Sequence, residues 1–81
     1  MARIVLTGKL KMYTGGVTEL ELESGSIRSL LRDLRRQFPD IPEDIEDELA
    51  VSIDGTLHQD DWFAKINSDS EVHLLPRIAG G

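Results

Sequence analysis

Two histidines, fifteen carboxylates, a scatter of serines and a closing Ala-Gly-Gly are the groups of this chain whose types suit chemistry. His58 and His73 stand fifteen positions apart on different expected elements, without the spacing of a metal pair, and read as ordinary surface or strand histidines. The carboxylates from Glu46 to Glu48 are hard-cation ligands by type, but no Asp-rich loop with its central glycine surrounds them. No metal site is expected. No serine is framed by glycines as a strained nucleophile, and "TGG" at Thr14 to Gly16 is too short to cradle a phosphate, so its expected role is a turn. The chain has no cysteine, which removes a disulfide scaffold, a thiol nucleophile, an iron–sulfur cluster and a cysteine-ligated zinc together.

What remains is the ending, "VHLLPRIAGG". Glycine makes up about 7% of average chains, so a terminal pair arises by chance about once in 200 sequences. The pair gains weight from its setting, six residues past a strand expected from Glu71 to Leu75, on a segment where Pro76 favours extended backbone. Either these last residues fray without a task, or the end itself is the working part.

Charge narrows the partners. The net charge is −6, and from Gln37 to Ala64 there is no Lys or Arg, while nine carboxylates fall in that stretch. Such a surface repels phosphate backbones, so nucleic-acid binding is not expected; a basic protein partner or plain solvation suits it. The longest apolar runs are too short to span a bilayer and no signal core opens the chain, so a soluble cytoplasmic protein is expected. Eighty-one residues make one domain, with a stability on the order of 4 to 12 kcal/mol.

The elements that must carry the ending follow from periodicity. Ile4, Leu6, Leu10 and Met12 share one parity, against Arg3, Thr7, Lys9 and Lys11, which predicts a half-buried strand as far as Met12. "YTGG" turns it back into "VTELELE", with Leu20 and Leu22 inward and Lys9 and Lys11 placed to face the glutamates across the hairpin. Ser24 or Ser26 caps a helix whose apolar stripe is Ile27, Leu30, Leu31, Leu34 and Phe38, stopped by Pro39. A single turn is expected after Pro42. Leu49, Val51 and Ile53 alternate as a third strand closed by Asp54-Gly55, and "TLHQDDWFAKINSDS" reads as irregular, with Trp62 as a lid on the core. Ala50 and Leu75 take the outward parity and suggest a modest apolar patch. The order, strand, strand, helix, strand, strand (ββαββ), predicts a two-layer α+β domain.

At "SEVHLLPRIAGG", Ser70 to Gly81, the chain resembles the MoaD/ThiS sulfur-carrier family, whose members end in an acidic turn, an apolar strand, proline and Gly-Gly. The resemblance covers essentially the whole chain, though only the ending is a specific motif. Asp69-Ser70 replaces the Gly-Asp turn often seen in the family, and Pro76-Arg77 replaces the Pro-Pro of many molybdopterin-synthase small subunits. It implies a ubiquitin-like β-grasp of four to five strands on one main helix, with residues 1–75 as the domain and 76–81 as a flexible tail. It also implies that Gly81 is the reacting residue, its carboxyl adenylated and then converted to a thiocarboxylate. Gly80, Ala79, Ile78, Arg77, Pro76 and Leu75 would meet the partners. Arg77 is open to a partner's carboxylate or to solvent.

The implied partners are a ThiF/MoeB-like adenylating enzyme, which uses ATP, and a sulfur-accepting synthase subunit of MoaE-like or thiazole-synthase-like type. The protein would be a monomer when free, with no cofactor of its own and no catalytic activity by itself. "LLPRIAGG" favours the small subunit of molybdopterin synthase, while carriers for thiamine thiazole or cysteine synthesis share the fold and ending. A ubiquitin-like protein modifier is the second reading, and an adaptor whose sheet alone binds a partner is the third.

Overall fold

The computed structural model describes residues 1–77 of the 81, and the statements below concern those residues. Strands β1 (Ala2–Leu6), β2 (Glu19–Leu22), β3 (Leu49–Ile53), β4 (Thr56–His58) and β5 (Glu71–Pro76) form one mixed sheet in the order β2-β1-β5-β3-β4. A short helix α1 (Leu10–Tyr13) follows β1, and the main helix α2 (Ile27–Gln37) covers one face. The α+β architecture predicted from the element order, a mixed sheet on one main helix, is the one found.

Alternation decides the packing. Ile4, Leu6, Val51, Ile53, Val72 and Leu74 are all buried and meet Ile27, Leu30, Leu31 and Leu34 of α2 in a single core. At about 25 cal/mol per Å² of apolar surface removed from water, this layer supplies most of the drive to fold. The other face carries Arg3, Glu19, Glu21, His73 and Leu57, as the period of two requires. Arg3 donates to Glu19 across the β1–β2 ladder and lies near Glu71; the hydrogen bond to Glu19, then the charges of Glu19 and Glu71, raise its pKa.

The first strand is shorter than its pattern predicts. It ends at Leu6, and Gly8, at φ +64°, breaks the extended chain and lets Leu10–Tyr13 coil into a helical turn. Leu10 is buried while Met12 is 80% exposed. In a single turn the helix brings Leu10 and Tyr13, three apart, to the core, so the alternation of Leu10 with Met12 has no meaning there. Lys9 therefore does not face the glutamates of β2; it pairs with Glu48 at 3.2 Å.

Helix α2 begins with a reciprocal cap, Ser29 N donating to Ser26 Oγ and Ser26 N donating to Ser29 Oγ, both at 3.2 Å. Two further first-turn donors are met from the segment read as irregular, Ile27 N by Ala64 O and Arg28 N by Trp62 O. Trp62 is half-buried against the core, as its reading as a lid expects. Ser26→Ala is expected to lower stability by about 1 kcal/mol in urea unfolding.

Within that same segment the sequence reading missed a strand. Asp54 (φ +50°) and Gly55 (φ +88°) form a two-residue hairpin turn that sends Thr56–His58 back along β3 as β4. The single turn expected after Pro42 is a 3₁₀ turn, Ile45–Glu48, which buries Ile45. Ala50, paired with Leu75 across the β3–β5 ladder, is 2% exposed and adds nothing to an outward apolar patch.

Candidate functional site: the root of the terminal segment

The chain end grows out of the middle of the sheet. β5 is flanked on one side by β1, running parallel from Arg3↔Glu71 to Leu6↔Leu74, and on the other by β3, antiparallel from Ile53↔Val72 to Leu49↔Pro76. β1 ends, β3 starts and β5 ends at the same edge of the sheet. The strand leading to the terminal residues is therefore the one held on both sides.

Each residue at this root has a physical reason for its type. The ladder to β1 closes at Leu74, whose carbonyl accepts from Thr7 N at 3.2 Å and Thr7 Oγ1 at 2.7 Å. Alternation would next aim a donor from position 76 at β1, but there the chain is already turning away at Gly8. Proline has no donor to strand, so Pro76 suits this place and lengthens the expected strand by one residue. A Cβ on Gly8 would lie 3.2 Å from Pro76 Cγ, and φ there is +64°. Gly8→Ala is accordingly expected to cost about 1 to 2 kcal/mol, read by urea unfolding.

Arg77 is fastened more firmly than its sequence position suggests. Its N–H donates to Glu48 O at 2.9 Å, Nε to Leu49 O at 3.3 Å, and one terminal nitrogen to Glu46 O at 3.1 Å. The same nitrogen reaches Asp60 Oδ1 at 2.9 Å while its twin reaches Oδ2 at 3.3 Å, a two-point fork on one carboxylate. The sequence reading offered Arg77 a partner's carboxylate or solvent; in the structure its donors are engaged within the chain. Glu46 is itself held to α2 by Arg35 at 3.2 Å. Beside the root lies an open groove of about 470 Å³, lined by Thr7, Leu10, Ile45 and Leu49 together with Pro76 and Arg77.

Of the residues named from sequence, Leu75 is half-buried on the outer sheet face, Pro76 closes β5, and Arg77 is the last described residue. Ile78, Ala79, Gly80 and Gly81 lie outside the described residues, as does the tail read from 76 onward apart from its first two positions. His58 sits 3.4 Å from Asp61, and His73 2.8 Å from Glu71, on separate strands. No group of three or more His, Asp or Glu side chains is placed to hold a metal among the described residues. Likewise no helix among them is long and apolar enough to cross a membrane.

Sequence reasoning missed Gly8, Glu46, Glu48 and Asp60 as supports of the root. Three of the four act here through backbone: a conformation at Gly8, and carbonyls at Glu46 and Glu48. Asp60 was visible only as part of an acidic run.

Comparison with known proteins finds no family that matches the chain and no curated protein that does. Solved structures do match. One is a chain of the BexX/CysO complex of Amycolatopsis orientalis, at a TM-score of 0.79 and 16% identity over 100% of both chains. Another is the small archaeal modifier protein SAMP1 of Methanosarcina acetivorans, at 0.76 and 19% identity over 99% of this chain and 95% of that one. A third is CysO of Mycobacterium tuberculosis, at 0.76 and 13% identity over 96% of this chain and 100% of that one. The fold is thus the ubiquitin-like β-grasp expected from the resemblance.

Proposed function

We propose that this chain is a sulfur carrier that works through the carboxylate of Gly81. The observation that carries the reading is the root. The central strand of the sheet is the last described element before the Gly-Gly ending, and Leu74 and Arg77 at its end are fixed by Thr7 on one side and by Glu48 and Asp60 on the other. A rigid body that presents a short segment without side-chain bulk at its tip is what a reaction inside another protein's active site requires.

A free carboxylate resists attack because its charge is delocalised and it has no good leaving group. In the proposed sequence, a carboxylate oxygen of Gly81 attacks the α-phosphorus of ATP and pyrophosphate leaves. A sulfur nucleophile of the hydrosulfide class then adds to the acyl carbon and AMP departs, leaving a thiocarboxylate. Glycine at 80 and 81 offers no Cβ to meet the walls of a narrow channel or to shield the carbonyl. The globular body serves as the handle. The chain would act as the substrate of an adenylating partner of ThiF/MoeB type in the cytoplasm and hand its sulfur to a synthase subunit. The solved BexX/CysO complex is a precedent for a protein of this fold engaging a partner.

Among recipients, the ending "LLPRIAGG" favours molybdopterin synthase, with this chain as its small subunit; thiazole and cysteine synthesis are the alternatives. A second reading, a protein modifier, draws on the shared fold with a small archaeal modifier protein. Coexpression with the adenylating enzyme separates the two by intact mass. The carrier gains the mass of one oxygen exchanged for sulfur, the modifier appears in high-mass lysine conjugates, and an unchanged mass with no conjugates defeats both.

A further inference from the structure

We propose that the outer face of α2, with Phe63 beside it, is a docking surface for an acidic helix of a partner protein; this goes beyond the carrier reading and does not involve Gly81. Arg28, Arg32 and Arg36 are all exposed and stand four positions apart, a single row of guanidinium groups along the side of α2 turned away from the sheet. Neither Arg28 nor Arg36 pairs with a carboxylate among the described residues, although the chain carries fifteen. Arg32 has only its neighbour Asp33, at 3.9 Å, and that carboxylate accepts from Ser24 Oγ at 3.0 Å. Arg3, Lys9, Arg35 and Arg77, by contrast, each reach a carboxylate on another segment.

The fold does not call for this row. Arginines four apart on a helix repel one another, and a cation at the second position of α2 meets the positive end of the helix dipole. Of the three, only Arg36, in the last turn, stands where helix stability favours a cation. A second observation marks the same face: Phe63 is 73% exposed, and the Arg28 guanidinium lies 5.6 Å from its ring centre. The carbonyl of Trp62 accepts from Arg28 N at 2.7 Å, so the backbone holds the ring beside the first arginine. Exposed Lys65, whose backbone bridges to Ser26, adds positive charge at that end.

Charge and spacing name the occupant. Four residues of helix rise about 6 Å, so a partner helix with Asp or Glu at every fourth position sets one carboxylate against each arginine, with an apolar residue at its end to cover Phe63. An extended polyanion would meet the same arginines, but the net charge of −6 repels it as a whole.

The test titrates the full chain, labelled with nitrogen-15, with a synthetic helical peptide of about 16 residues that carries three Glu four positions apart and a Leu at each end of that row. Amide shifts are expected along α2 and at Phe63, and the affinity is expected to fall as salt rises. The combined variant Arg28→Gln, Arg32→Gln, Arg36→Gln is expected to weaken binding at least about 10-fold, and Phe63→Ala about 5- to 30-fold. Urea unfolding separates docking from a role in the fold. Gln matches Arg closely in helix propensity, so Arg32→Gln, which relieves two repulsions, is expected to unfold at or above the wild-type midpoint. A lower midpoint assigns Arg32 to the fold and overturns the proposal. So does an undiminished affinity in the combined variant, a set of shifts on another face, or no binding at all. A single-stranded oligonucleotide or a phosphatidylserine vesicle that binds these arginines more tightly than the peptide would make the face a site for polyanions, and the acidic helix would be the wrong occupant.

Discussion

Deleting Gly81 is expected to reduce thiocarboxylate formation at least about 100-fold while leaving the folded body intact. The deletion places the terminal carboxylate on Gly80, about 3.5 Å back along the chain. In an active site that must align one carboxylate oxygen with a phosphorus, a misplacement of about 1 Å already costs on the order of 100-fold. The body does not compensate, because the strand beneath cannot slide. Leu74 is locked to Thr7 and residue 77 to Glu48, so no register shift pushes the shortened end outward. Stability is expected to change by less than about 0.5 kcal/mol, since the described sheet and core lie within residues 2–76. Intact mass after coexpression with the adenylating enzyme reads the first effect and thermal melting the second. A des-Gly81 protein that still takes up sulfur would mean that the reactive carbon lies elsewhere.

Inserting one residue between Arg77 and Ile78 probes the same geometry from the other side. Overreach and underreach differ physically, because a longer chain end still reaches the site at an entropic cost while a shorter one does not. The deletion is therefore the more severe change, and its severity follows from the fixed root rather than from Gly81 alone.

Legibility from sequence followed the range of the interactions. The α2 stripe was readable because one helical period fixes Ile27, Leu30, Leu31 and Leu34 on one face, and all four are buried. Strands β3 and β5 were readable because alternation is local, although Pro76 joined β5 only because the neighbouring ladder had ended. By contrast, α1 was unreadable as a helix. Leu10 and Met12 fit a strand as well as Leu10 and Tyr13 fit a single turn, and the choice was made by the positive φ at Gly8, a backbone conformation that alternation does not reveal. β4 was missed because three residues carry almost no period, although Asp54-Gly55 was a hairpin signal whose second strand was not drawn. At the root, Arg77 was nameable, but its partners lie 17 and more positions away along the chain and enter partly as carbonyls, which carry no sequence signature.

Leu74→Ala is expected to destabilise the protein by about 3 to 4 kcal/mol, the largest single stability loss among the substitutions considered. Leu74 is fully buried, on the central strand, between Leu6 of β1 and Val51 of β3. A central strand has no free edge along which its neighbours can close in, so most of the cavity left by three deleted carbons stays open. Against a total of about 4 to 12 kcal/mol for a domain of this size, the loss consumes a large share of the margin, and a fraction of the chain unfolds well below the wild-type midpoint. Leu20→Ala, on the edge strand β2 and only half-buried, is the internal comparison, expected to cost about 1 kcal/mol because solvent already reaches the site. The two urea midpoints should separate accordingly at similar slope. The comparison bears on function as well. Leu74 carries the carbonyl that Thr7 holds from both its N–H and its hydroxyl, two residues before Pro76. Core packing at Leu74 and the aim of the terminal segment are therefore properties of one strand. A Leu74→Ala protein that lost less than about 1 kcal/mol would show that β5 is not the packed centre of the sheet, and the fixed root would lose its foundation.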